Sequence, residues 1–132
     1  MFDEFYFHHR RGLPTWERRG HPLDTLTVLL CFGFLLWFPP TEVNLGIYAG
    51  LAIFSCVFVT KDEAVHLKHC TAAENWLHAI LFILHPVVFI AAGMLWFSQD
   101  SVQILQLQTL IVFGFLLYQI GYWNIYAKPA AK

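Results

Sequence analysis

Trp76-Leu-His-Ala-Ile-Leu-Phe-Ile-Leu-His-Pro-Val-Val-Phe-Ile-Ala-Ala-Gly-Met-Leu-Trp-Phe97 runs for 22 residues without one Asp, Glu, Lys or Arg. At 1.5 Å of rise per residue, a helix of this length reaches across the ~30 Å hydrocarbon core of a bilayer. Three further apolar runs, Pro22 to Phe38, Val43 to Thr60 and Val102 to Trp123, are close to the same length. The breaks between them are chemically apt. Pro39-Pro40-Thr41-Glu42 is a tight stop, and Ser98-Gln99-Asp100-Ser101 supplies turn and capping residues.

Composition points the same way. Of 132 residues, 58% are hydrophobic and 13% charged, which is not the balance of a soluble domain. A net charge of −1 leaves no surplus of Lys and Arg to neutralise phosphates, and this excludes an electrostatic nucleic-acid binder. Cys31, Cys56 and Cys70 are widely spaced and form no CxxC pair, so no disulfide framework is expected. Residues 1–21 carry four Arg and no apolar stretch, and the first apolar run ends at two prolines rather than at a small-residue cleavage site. A retained span is expected there, not a signal peptide.

The predicted fold class is therefore an all-α integral membrane protein with four transmembrane helices over about 22–38, 43–60, 72–97 and 101–124. Short connections favour an up-and-down bundle within a domain of residues 22–127. Residues 1–21, with aromatics among charges, are expected to form an interfacial N-terminal arm, and 128–132 a frayed tail. Alternate threading puts Arg10, Arg11, Arg18, Arg19, Lys61, Lys68, Lys128 and Lys132 on one side, and only Glu42 and Asp100 on the other. The positive-inside rule then predicts N-in and C-in, with Trp37 and Trp96 at the outer boundary and Trp76 and Trp123 at the inner one. A bacterial cytoplasmic (inner) membrane is the expected location. Gly46-Ile-Tyr-Ala-Gly50 fits the small-xxx-small pattern of closely approaching membrane helices.

Between the second and third spans the chain is polar: Lys61-Asp-Glu-Ala-Val-His-Leu-Lys-His-Cys-Thr-Ala-Ala-Glu-Asn-Trp-Leu-His78. On one unbroken helix Glu63, His66, Cys70, Glu74, His78 and His85 would share an arc of about 120°. Glu63-Ala-Val-His66 is an ExxH pair, the spacing by which di-iron bundles present a carboxylate and an imidazole to one metal. Glu74 and His78 form a second pair one turn apart. The predicted metal ligands are Glu63, His66, Glu74 and His78, with Asp62 and His69 in reserve and Asp24 as an outer-shell partner. Such an N/O donor set suits a transition metal, iron or zinc first. The same residues also have a purely structural explanation. Thr60-Lys-Asp-Glu63 and Thr71-Ala-Ala-Glu74 each fit the capping box at a helix start, and two caps would break the continuous helix near Thr71.

His85 stands apart, about 20 Å along the third helix from Ala72 and close to its middle. An ionisable residue at that depth is costly and suggests function, so His85 is the candidate cofactor-binding residue. Its alternative role is a neutral imidazole donating to a neighbouring helix or to the carbonyl that Pro86 frees near Phe82. The bundle's inner half gains His21, Asp24, Tyr118, Gln119, Tyr122, Asn124 and Tyr126.

Three functions compete on these residues. The leading one is a metal-dependent redox or hydrolytic enzyme at the inner membrane interface, acting on a lipid, quinone or other hydrophobic substrate; no catalytic residue is singled out, and the spaced HxxxH and HxxHH boxes of known inner-face histidine sites are absent. A non-catalytic accessory or assembly subunit of a larger membrane complex is the second. The third is a haem- or quinone-binding subunit, for which a homo-oligomer would have to supply a second axial histidine.

Overall fold

The computed structural model describes residues 15–63, 71–99 and 102–127. Helix α1 spans Thr15–Trp37, α2 Glu42–Phe58, α3 Ala72–Ser98 and α4 Val102–Gln119. A 3-10 turn, Val59–Asp62, extends α2, and π-helical backbone, Ile120–Tyr126, extends α4. All four helical segments are long and apolar enough to cross a membrane, and no strand occurs among the described residues.

Helix α1 begins at Thr15 rather than near Pro22, so residues 15–21 of the expected arm are helical. Pro22 lies inside the helix, where it cannot donate to the carbonyl of Arg18 four residues back. That carbonyl has another donor: Asn124 Nδ2 reaches it at 3.3 Å from α4. The proline's missing bond is thereby converted into an interhelical one.

The α1–α2 turn is closed by side chains. Thr41 caps α2 by accepting from the Asn44 amide at 3.2 Å, while Asn44 Nδ2 and the Thr41 amide both donate to the Pro39 carbonyl. Gln99 ends α3 in the left-handed conformation at φ 55°. At the other end of α3, Thr71 accepts from the Glu74 amide at 3.3 Å, which is the hydroxyl half of the expected capping box. Thr60 makes no such cap. Helical backbone continues through it, and its hydroxyl folds back to donate to the Val57 carbonyl at 2.7 Å.

Each helix lies against the next in sequence, and α4 closes the ring on α1. Antiparallel packing is visible in the pairs themselves: Asp24 meets Lys61 and Thr27 meets Ser55, Tyr48 meets Phe89 while Ser55 meets His85, and Arg18 meets Trp123 while Thr25 meets Gln119. Helices α1 and α3 also touch across the ring. The core is aromatic, built on Phe32, Leu35, Tyr48, Phe89, Trp96 and Leu105. Tyr48 fits tightly because position 93 is glycine; a Cβ there would sit 3.3 Å from its ring. Gly46 and Gly50, by contrast, have no neighbour within 4 Å of such a Cβ. The two glycines of the small-xxx-small pattern thus make no close helix contact among the described residues.

Outside this core the helices present apolar side chains to their surroundings, including Ile53, Ile83, Met94 and Leu110, each more than 60% exposed. Large apolar side chains exposed along all four helices fit surfaces that face lipid.

Candidate functional site

Polar side chains collect in two layers. The first is the end of the bundle where α1 starts and α4 finishes. Arg18 is buried, and one terminal nitrogen of its guanidinium donates to the Trp123 carbonyl at 2.8 Å and to the Ala127 carbonyl at 3.0 Å. Those carbonyls terminate α4, so the cation also meets the negative end of a helix. Lys61 Nζ grips both oxygens of Asp24, at 2.6 and 2.8 Å, tying the end of α2 to α1. Thr25 donates to Gln119 Oε1 at 2.7 Å and ties α1 to α4.

Both members of the Asp24–Lys61 pair are largely enclosed, at 13% and 19% side-chain exposure. Removing one partner is then costlier than on an open surface. Lys61→Met, which strips the ammonium from Asp24, is expected to lose roughly 2 kcal/mol, between exposed and fully buried pairs. Adding Asp24→Leu should recover most of that loss, because an apolar pair carries no desolvation cost. Denaturant titration of both variants in detergent checks the sign of this recovery.

The residues expected to hold a metal fall near this end, with a mixed outcome. Glu74 and His78 are both buried, one turn apart on α3. Glu63 is partly exposed just beyond the 3-10 turn. Asp62 has its backbone in that turn, its side chain lies outside the described residues, and so do His66, His69 and Cys70 entirely. Among the described residues no three His, Cys, Asp or Glu side chains converge on a point where a metal would sit. Glu63, Glu74 and His78 are therefore not brought together as a three-ligand set, and Asp24, expected as an outer-shell partner, is engaged by Lys61.

The second layer lies at mid-bundle. Thr27 on α1, Ser55 on α2 and His85 on α3 form a hydrogen-bonded chain, with Thr27 Oγ1 to Ser55 Oγ 2.7 Å and Ser55 Oγ to His85 Nε2 3.0 Å. Ser55 is wholly buried, whereas His85 is partly exposed and packs edge-on against Phe89 at 4.9 Å. Sequence reading located His85 but not its partners. The available signal was modest: two hydroxyls, Thr27 and Ser55, each set within an apolar run. Serine and threonine so placed serve as interhelical hydrogen-bond partners.

Beside this chain a groove of about 990 Å³ opens between α2 and α3. Tyr48, Ala52 and Cys56 line it from α2, with Pro86, Phe89 and Gly93 from α3. It follows α2 from Leu45 to Val57, a length of about 18 Å at helical rise. The volume lies at the upper end of the range for small-molecule sites. His85 is not one of the residues lining it, but its ring packs against the lining residue Phe89 and its Nε2 meets Ser55.

No family model, characterised protein or solved structure matches this chain. Its class rests on its own features: an all-helical protein whose four helices have the length and apolarity to cross a membrane.

Proposed function

We propose that this protein is an integral membrane protein, oriented with both described ends and the 61–75 segment on the cytoplasmic side, that binds a hydrophobic membrane-borne molecule in the α2–α3 groove. The one-sided distribution of Lys and Arg supports the orientation. The single observation that carries the binding reading is the apolar groove of about 990 Å³ itself, with the Ser55–His85 pair behind its wall residues Cys56, Pro86 and Phe89. In this reading the groove takes a hydrocarbon chain from the bilayer, lying along its apolar walls on α2 and α3.

Native mass spectrometry of gently solubilised protein tests it. Wild type should carry one lipid-sized adduct per chain, and Ala49→Trp, which places an indole in the groove from a lining position, should abolish it while the bundle stays folded. Wild type without an adduct, or an adduct indifferent to Ala49→Trp, contradicts the reading.

The burial of Glu74 and His78 favours a second reading, a transition metal at the cytoplasmic interface. Those two side chains would supply two ligands, with the remainder drawn from Asp62, His66 and His69. Elemental analysis should then find iron or zinc near one per chain, lost in His78→Ala. Metal-free protein removes this reading and leaves the groove untouched.

A further inference from the structure

The α2–α3 groove lies toward one end of the bundle. Its walls run from Leu45 to Val57 on α2 and from Pro86 to Ser98 on α3, so it starts where α2 begins and α3 finishes. Exposed Trp16 and Trp37 stand at the two ends of α1, about 31 Å apart at helical rise. That distance matches a ~30 Å hydrocarbon core with its aromatic boundaries. Against it, the groove's length of about 18 Å is close to one leaflet, roughly 15 Å, and falls short of two. On α3 the groove leaves the stretch from exposed Trp76 to His85 uncovered.

The two ends of the groove differ in charge. At the turn end Glu42 is exposed and stands one helical turn beyond Leu45 on α2. Ser98, which lines the mouth, gives its hydroxyl proton to the Leu95 carbonyl at 3.0 Å and keeps an acceptor oxygen. No Lys or Arg occurs from residue 20 to 60 or from 69 to 127, the stretches that hold both turns at this end. The mouth therefore offers acceptors and negative charge, with no cation to answer a phosphate. At the deep end Lys61, one turn beyond Val57, has its ammonium on both oxygens of Asp24.

Resting on the groove reading above, we infer that the ligand is a lipid of the leaflet that faces the two turns, with an ammonium head group beside Glu42 and one hydrocarbon chain reaching down the groove toward Pro86. A purely anionic head group would set its charge against Glu42. A lipid seated the other way round would place its head group between the apolar walls near Val57 and Pro86, in the middle of the bilayer, where a polar group is costly.

Two diazirine analogues of phosphatidylethanolamine test the direction, one with the photoactive group beside the ester and the other with it at the methyl end of the chain. The ester-side probe should label Leu45 and Phe97, and the methyl-end probe Val57 and Pro86. The reverse order overturns the leaflet assignment and leaves the groove reading standing. Native mass spectrometry with equal amounts of phosphatidylethanolamine and phosphatidylglycerol of the same chains tests the head group. Wild type should retain the ethanolamine lipid about threefold more, the size of one exposed ion pair. Glu42→Gln should remove this preference and Glu42→Lys should turn it toward phosphatidylglycerol, with labelling of Val57 and Pro86 unchanged. Equal retention by wild type, or a preference that survives in both variants, overturns the head-group assignment. Failure of both probes to label the groove overturns the groove reading and this inference with it.

Discussion

Trp96→Ala should lower the stability of the solubilised bundle by about 3–5 kcal/mol, the range for deleting a buried aromatic side chain. Trp96 is 2% exposed and packs near Tyr48 and Phe34, with ring centroids 6.1 and 6.5 Å away. Its indole nitrogen donates to the Phe38 carbonyl at 2.8 Å. That carbonyl lies just past the end of α1, where the helix no longer supplies an N–H to meet it. The variant thus loses packing in the core and the donor that holds the α1–α2 turn. In a membrane the packing loss falls mainly on dispersion, since lipid tails are as apolar as the core. Trp96→Phe separates the two contributions. It retains most of the contact area and forfeits the hydrogen bond, so about 1–2 kcal/mol should go. Unfolding of both variants in SDS titrations measures the difference; a loss below 1 kcal/mol for alanine would place Trp96 outside the core.

Arg18→Met is the second large effect, expected at about 2–4 kcal/mol from charge-assisted bonds to carbonyls in an enclosed site. The side chain donates to Trp123 and Ala127 and stands 5.9 Å from the Trp123 ring. The π-helical backbone of Ile120–Tyr126 lies under that grip. Without the guanidinium, this segment should exchange its amide hydrogens faster than the rest of α4, which hydrogen exchange reads directly. Lysine's ammonium is more strongly hydrated than the guanidinium and costs more to enclose. Arg18→Lys should therefore recover less than half of the loss. Full recovery by lysine would mean that charge alone, not the two directed bonds, secures the end of α4.

The four helices were legible because each apolar run exceeds the length that hydrophobic patterning needs, and prolines and turn residues separate the outer pairs. The start of α1 was not. Glu17, Arg18 and Arg19 look like an interfacial segment in any local window, yet Arg18 is buried against a partner 105 residues away. No hydropathy average carries that distance. Thr60 misled for a local reason: it begins a good capping box, but the backbone around it is already helical, so its hydroxyl turns back to Val57. Gly46 and Gly50 met the spacing of a packing motif, while the close approach fell at Gly93 because Tyr48 reaches α3 there. At the candidate site, His85 was conspicuous as an ionisable group in mid-run. Thr27 and Ser55 became meaningful only when three separate helices brought them into line.

The most direct test of the groove uses a photoactivatable, long-chain lipid analogue added to membranes containing the intact protein, followed by mapping of the labelled residues. Annular lipid touches all four helices, in proportion to their exposed surface. A seated ligand does not. Labelling is expected to concentrate on the groove walls, at residues such as Ile53, Cys56, Met94 and Phe97, to saturate near one label per chain and to be suppressed by Ala49→Trp. Labelling spread over α1 to α4 in proportion to exposure, and unchanged in Ala49→Trp, would contradict it.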